Sequence, residues 1–352
     1  MVISTMYRIR RCALFATFLA SSLLLFASPA IADNTNNLEF IEGEDDFGDG
    51  DRPEGLHGNL GVEASFNLVS NHNRVGQADG LSLHLGGGLN GDLDYFQGDH
   101  ALRNTLNYNT SWARTPSLEK FVKNNDLAEL ESLYNYYITD WMGPFARASV
   151  ETSAFRTNFV TPGQREYEIT RIDGTTDTVT TDQLRLADPF RPIELFESVG
   201  VSMEPVRDER LSARMRLGAG GRQSFTRGVL SVTDEPSAEE AGTVRELDNV
   251  IQAGAEAFVG LEGRFPEQRI QYRVGATSLV PLINNDETER TALELTRIGL
   301  TANARVALFD WMGLNYNLRV LNDPQLVEGV QVQNSLLLTF NYTLLDTDGG
   351  DE

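Results

Sequence analysis

The chain has one cysteine in 352 residues, Cys12, and two lysines, Lys120 and Lys123. Because Cys12 lies in the first segment, the rest can build neither a disulfide framework nor a thiolate metal site. Almost every fixed cation is therefore an arginine. Bases are also few against acids, 29 to 51, and the formal net charge is -22. A chain this acidic offers no general basic surface, which excludes nucleic acid as a partner. After Phe26 no apolar run is long enough for a transmembrane helix. Four histidines occur, His57, His72, His84 and His100. A metal site needs at least three ligands to converge. Strand parity sends these four to different ends and faces, so neither a metal nor any other cofactor is expected.

What is present begins with an address. Arg8, Arg10 and Arg11 form a positive region, Ala13 to Phe26 an apolar one, and Ala30-Ile31-Ala32 a small-residue cleavage site. Residues 1–32 are expected to be a signal peptide, removed after Sec export. Its loss takes three arginines and no acid, moving the net charge from -22 to about -25. Residues 33–55 hold nine acids against Arg52 alone, with Gly48, Gly50, Pro53 and Gly55 among them. They read as an acidic, disordered periplasmic leader.

Over residues 56–345 one pattern recurs. The clearest case is the end of the chain, where Leu314, Tyr316, Leu318 and Val320 alternate with Asn315, Asn317 and Arg319. Val330, Val332, Leu336, Leu338, Phe340, Tyr342 and Leu344 likewise alternate with amides and hydroxyls. A period of two puts each set on its own face. Strands of about ten residues, apolar on one face and polar on the other, are the mark of a transmembrane β-barrel. Ten similar segments precede this pair, beginning at Leu60, Leu81, Leu102, Tyr134, Ala146, Leu195, Leu211, Ile251, Ile270 and Ile298. The expected fold is all-β, an antiparallel up-and-down outer-membrane barrel of about twelve strands. Residues 346–352 form an acidic tail.

The connections alternate in length, as such a barrel requires. Tight turns are expected at Gln97–Gly98, Asp140–Gly143, Pro205–Glu209, Gly263–Glu267 and Asp310–Gly313. Longer loops lie between them, above all Pro162–Pro192 and Gln223–Asp248. A hairpin of Glu166–Ile172 with Thr178–Leu186 is expected in the first, about the turn dipeptide Asp173-Gly174. Two turns share a tetrapeptide, Asp140-Trp141-Met142-Gly143 and Asp310-Trp311-Met312-Gly313. The simplest reading is glycine for the turn and tryptophan for the interfacial girdle. Trp112, Trp141, Trp311, Phe340 and Tyr342 are the expected membrane-interface aromatics.

Four short stretches stand out: Leu102-Arg103-Asn104-Thr105-Leu106-Asn107-Tyr108, Phe121-Val122-Lys123-Asn124-Asn125-Asp126-Leu127, Tyr134-Asn135-Tyr136-Tyr137 with Trp141 and Phe145, and Val199-Gly200-Val201-Ser202-Met203-Glu204-Pro205. In these the chain resembles a family of Gram-negative outer-membrane barrels, domain of unknown function 3078. The resemblance implies a fold and an address, the outer membrane of a Gram-negative bacterium. Outer-membrane lipid would surround such a barrel, and barrel-assembly machinery would serve its insertion. It implies no substrate and no catalytic residue.

No catalytic set suggests itself. A lipase would need a serine–histidine pair on the outer face, and parity turns His84 inward. An omptin-like protease would need histidine and several acids at the outer rim, where His72 and Asp79 stand alone. Gly86-Gly87-Gly88 lies within a strand, with no helix after it to make a phosphate loop. The inward face is more informative. Parity places Glu63, Arg103, Arg147, Glu151, Arg214, Arg216, Glu256, Glu262, Arg273, Arg297, Arg305 and Arg319 in the lumen. Arg214, Glu256 and Arg273 are expected at one height on neighbouring strands. More arginine than glutamate inside an acidic chain would favour small anionic solutes. The expected function is a pore-like barrel with weak anion preference. The alternative is a non-conducting structural or docking barrel acting through its long outer loops. Nothing in the sequence specifies an oligomeric state.

Overall fold

Two-residue alternation gives each long segment a lipid-compatible face and a polar face, and closing the sheet satisfies both. In the computed structural model the described residues are 54–346, apart from 72–79, 117, 209, 238–239, 266–268, 287, 289, 310 and 328. The expected signal peptide, residues 33–53 of the expected leader, His72, Asp79 and the tail beyond 346 lie outside them.

The strands are β1 (Gly55–Asn71), β2 (Gly80–Gln97), β3 (His100–Thr115), β4 (Leu118–Tyr136), β5 (Met142–Thr152), β6 (Thr157–Thr170), β7 (Thr176–Ala187) and β8 (Ile193–Asp208). They continue as β9 (Leu211–Phe225), β10 (Leu230–Asp234), β11 (Gly242–Glu246), β12 (Val250–Phe265), β13 (Ile270–Asn284), β14 (Arg297–Phe309), β15 (Met312–Asn322) and β16 (Val330–Asp346). Twelve of them close an antiparallel barrel in the order β1-β16-β15-β14-β13-β12-β9-β8-β5-β4-β3-β2. The seam joins the two ends of the chain, with Val62 opposite Tyr342 and Phe66 opposite Leu338. Closure leaves no unpaired edge, which is what a hydrocarbon environment demands. The fold is a barrel of outer-membrane type.

Outward positions carry the apolar set. Leu217, Val259, Val274 and Leu300 are all exposed, the inverse of a soluble protein's pattern. The turns at one end are tight, and the connections at the other are longer, except that only residues 116 and 117 join β3 to β4, so the long connection expected there is mostly strand. We call these the turn end and the loop end. At the turn end the repeated tetrapeptide plays one backbone role twice. The Trp141 carbonyl accepts the Glu204 amide at 2.7 Å, and the Trp311 carbonyl accepts the Asn341 amide at 3.0 Å. Each tryptophan thus extends pairing to the next strand in the barrel. Gly143 is required there, because a Cβ would lie 1.8 Å from the Tyr136 carbonyl oxygen.

The remaining strands form a four-stranded sheet at the loop end, ordered β10-β11-β6-β7. The β6–β7 hairpin turns at Asp173-Gly174, where Gly174 has φ 79. Strand β11 lies parallel to β6, Val244 opposite Ile169. Tyr167, Ile169, Leu184, Leu186, Leu230 and Val244 give this sheet its own buried core. A second cluster, Ala187, Val229, Leu247, Val250 and Leu326, packs beside it.

Candidate functional site: the barrel lumen

The inward face divides into two unlike halves. In the first half, buried ion pairs and aromatic rings fill the space. Arg147 on β5 holds Glu131 of β4 at 2.6 Å. Arg216 lies between two rings, 4.2 Å from the Phe258 centroid and 5.9 Å from that of Phe145. Toward the turn end, Glu262 joins Arg214 at 2.9 Å and Arg273 at 3.1 Å. Glu204 faces Arg214 at 3.9 Å, accepts a hydrogen bond from the Tyr137 hydroxyl at 2.9 Å and pairs with Arg207. Arg103 stands 5.6 Å over the Phe96 ring. Arginine suits these places because its flat guanidinium can stack on a ring while its edge meets carboxylates.

Toward the loop end a denser cluster forms. Pairing sets Glu129 opposite Glu151, and Glu151 opposite Glu194, so three carboxylates stand abreast on β4, β5 and β8. Arg222 reaches Glu194 at 3.1 Å and Asp323 at 2.5 Å. Arg297 also approaches Asp323, at 3.6 Å. Asp323 belongs to the connection after β15, so that connection folds into the barrel. It is held by more than charge. Arg290 donates to the Pro324 carbonyl at 2.7 Å, Arg245 to that of Leu326 at 3.1 Å, and Gln252 to Gln325 at 2.7 Å. Arg222 and Asp323 are both fully buried. Uncompensated, such a buried charge would cost several kcal/mol, so the pairing is obligatory.

The second half, along β1, β2 and β14 to β16, is lined differently. Glu63, Ser65, Asn90, Thr301, Asn317 and Ser335 point inward and remain partly open to solvent. Asn67, Asn303 and Gln333 point inward and are exposed. Gly86 and Gly88 are small for a steric reason. A Cβ at Gly86 would lie 2.2 Å from Ser65 Oγ, and one at Gly88 2.7 Å from Asn109 Oδ1. Amides, hydroxyls and bare backbone are thus most frequent on this side of the lumen, among the charges of Glu63, Asp92, Asp94, Arg305 and Arg319, while buried ion pairs and rings crowd the other.

Two expectations are corrected by this geometry. The acid between Arg214 and Arg273 is Glu262, not Glu256. Glu256 stands opposite Gly218, farther toward the loop end, with its side chain against Gly220. The expected excess of arginine also disappears. Asp92, Asp94, Glu129, Glu131, Glu194 and Glu204 share the inward face, and Asp323 enters from the loop. Glu151, Arg305 and Arg319 also face inward, and Arg319 is opposite Thr301 and Gln333. Among the aromatics, Trp311 is sandwiched by Phe309 and Phe340 at 5.6 and 5.9 Å. Trp141 and Tyr342 are exposed at the same end. Trp112 lies toward the opposite rim, edge-on to Phe155 at 5.7 Å.

Of the histidines, His84 lies on the inward side opposite Asn67, while His100 bonds the Tyr134 hydroxyl at 2.7 Å. Among the described residues no group of three or more histidines, cysteines or acids is arranged to hold a metal.

The chain is similar in structure to several solved barrels. One is an outer membrane channel from Pseudomonas putida F1, with 13% identity, TM-score 0.38, and coverage of 87% of this chain and 100% of that one. Another is the translocator domain of the autotransporter NalP from Neisseria meningitidis, with 10% identity, TM-score 0.35, and coverage of 81% and 88%. A third is the toluene transporter TodX of P. putida, with 9% identity, TM-score 0.33, and coverage of 83% and 90%. No family profile and no curated protein sequence matches the chain.

Proposed function

We propose that this chain forms a narrow polar passage for small solutes across the outer membrane of a Gram-negative bacterium. The observation that carries the reading is the lumen's asymmetry. A barrel serving only as a support can fill its interior all round, yet here β1 and β14 to β16 leave Asn67, Asn303 and Gln333 exposed inside. The ion-pair half and the inward Asp323 segment narrow the bore to that side. Glu63, Asp92 and Asp94 offset Arg305 along it, so charge discrimination is weak and the fitting cargo is neutral or zwitterionic. Small anions remain a candidate cargo only where Arg305 and Arg103 outweigh those acids. The resemblance to the domain of unknown function 3078 family is compatible with this assignment.

Planar-bilayer recording of the purified protein tests the reading. A small, steady conductance with little ion selectivity is expected, and Ser65→Phe should reduce it. A silent bilayer with heat-modifiable, folded protein would overturn it in favour of the second reading, a docking barrel. That reading has one observation of its own, the four-stranded sheet at the loop end. A loop region that folds its own core around Tyr167 and Val244 presents a firm surface rather than a slack tether.

A further inference from the structure

On β5, β8, β9, β12 and β13 the outward positions within the apolar band are apolar or uncharged, with one exception; Asp208, at the turn-end limit of β8 opposite Leu211, lies beyond that band. Glu197 of β8 faces out and is exposed. Ile193 and Leu195 precede it on that strand's outward side, and Val199, Val201 and Met203 follow, so it lies inside the apolar band. Charge on a lipid-facing wall is disfavoured, and ionisable groups within a membrane are found paired. This chain supplies no cation on those five strands' outward positions to pair with it.

Glu197 also lies in a groove of about 870 Å3 on the outer wall. Ala148, Ala219, Gly221 and Ala255 make the floor, and Tyr134 and Ile283 stand at its margins. The hollow arises because β5, β9 and β12 place alanine or glycine where the rest of the wall carries leucine or valine, while β8, between β5 and β9, carries Glu197 and Val199. Gly221 lies beside the carboxylate, where a Cβ would stand in ordinary contact with Glu197 Oε2 at 3.6 Å.

We propose that this groove binds an amine-bearing amphiphile of the membrane, its alkyl chain on the alanine–glycine floor and its ammonium on Glu197. Charge complementarity selects that occupant. A second copy docking through the same surface would bring two Glu197 carboxylates together, because a twofold contact pairs each patch with itself. An alkyl chain fits, and the amine gives the acid its missing partner. The proposal rests on the outward face lying in lipid.

The test uses the purified full-length barrel in a neutral detergent, with dodecylamine as probe and dodecanoate and dodecanol as comparisons. Native mass spectrometry should find one retained dodecylamine per chain, with dodecanoate retained at least tenfold less and dodecanol in between. Glu197→Gln and Glu197→Leu should each weaken dodecylamine retention about tenfold. Ala219→Phe should do the same while keeping the acid, because it fills the groove. Neither change at 197 threatens folding, since each removes charge from a lipid face. Equal retention by the two Glu197 variants and the parent, or equal retention of dodecanoate and dodecylamine, would overturn the proposal. So would a dimer of the parent protein that Glu197→Leu abolishes, which would give the surface to a protein partner. Protein that fractionates away from the membrane would sink the barrel reading and the groove with it.

Discussion

Arg222 of β9 and Asp323, which follows β15, meet at 2.5 Å with both side chains fully buried. The pair ties a loop-end connection to a strand four places away around the barrel, and so draws that connection into the lumen. Replacing Asp323 by alanine strips Arg222 and Arg297 of the acid they share. We expect a loss of roughly 3–5 kcal/mol, the usual cost of breaking a buried pair. In a bilayer the surviving folded protein should conduct more than the parent, because the 323–327 segment no longer narrows the bore. The double change Arg222→Leu with Asp323→Leu should recover much of the stability while keeping the larger conductance. Unchanged conductance in both variants would remove this segment from the passage.

Glu262 carries two arginines, Arg214 and Arg273. Glu262→Leu should therefore lower the heat-modification midpoint far more than Glu256→Leu, which leaves those contacts intact. Similar midpoints for the two would return the shared acid to position 256.

The two faces of the wall differ in what they tolerate. Leu300→Arg or Val274→Arg puts a cation against lipid at a cost of roughly 2–4 kcal/mol, and assembly should suffer. Normal heat-modifiability of both variants would mean that the faces are assigned the wrong way round.

Sidedness follows from the loops. Protease added to intact cells should cut first near residues 171–175, the tip of the β6–β7 hairpin, or between β10 and β11. Cleavage in 33–55 under the same conditions would invert the topology.

Asp286 lies in the β13–β14 connection, outside the spanning strands. Hydrogen bonds from Arg290 hold its carboxyl well below the ordinary carboxylate range, with help from Thr288. A depressed value means that the anchoring is complete above an unfolded value of about 3.9. It is lost as pH falls through the lower, folded value. Protection of residues 285–296 from proteolysis should be flat from neutral pH to about 5, as the same unfolded reference implies. Asp286→Asn should weaken that protection at neutral pH. A steep loss of protection between pH 7 and 5 in the parent would contradict this account.

The barrel is legible because two-residue alternation survives in nearly every spanning segment, and because short and long connections take turns everywhere but between β3 and β4. The charge inside it is less so. Alternation shows itself only from the first apolar residue of each segment, and the strands continue well past those points. Beginning the fourth strand at Tyr134 hid Glu129 and Glu131, although β4 starts at Leu118. Beginning the next but one at Leu195 hid Glu194, and stopping β9 at Leu217 hid Arg222. Polar ends of strands carry no apolar period, so their parity has to be read from pairing. Asp323 gave no signal at all, since a loop residue has no face until the loop folds inward. Strands β10 and β11 were missed for a related reason. Each has five residues, and β11 finds its partner β6 some seventy-five positions back in the chain, in parallel. The Glu197 exception is visible in the alternation from Leu195 to Met203, but its groove depends on small residues of β5, β9 and β12 being brought to either side of it.

The seam between β1 and β16 sets the order in which this molecule can be made. Val62 meets Tyr342 and Ser65 meets Thr339, so the first strand waits for the last before either has its second neighbour. Every other barrel pairing can form from shorter stretches of chain, and this one needs nearly all of it, which is the costliest loop to close. Until then the growing sheet carries two bare edges, each able to recruit a foreign strand. A truncation that removed β16 alone would therefore be expected to cost the whole barrel rather than one twelfth of it.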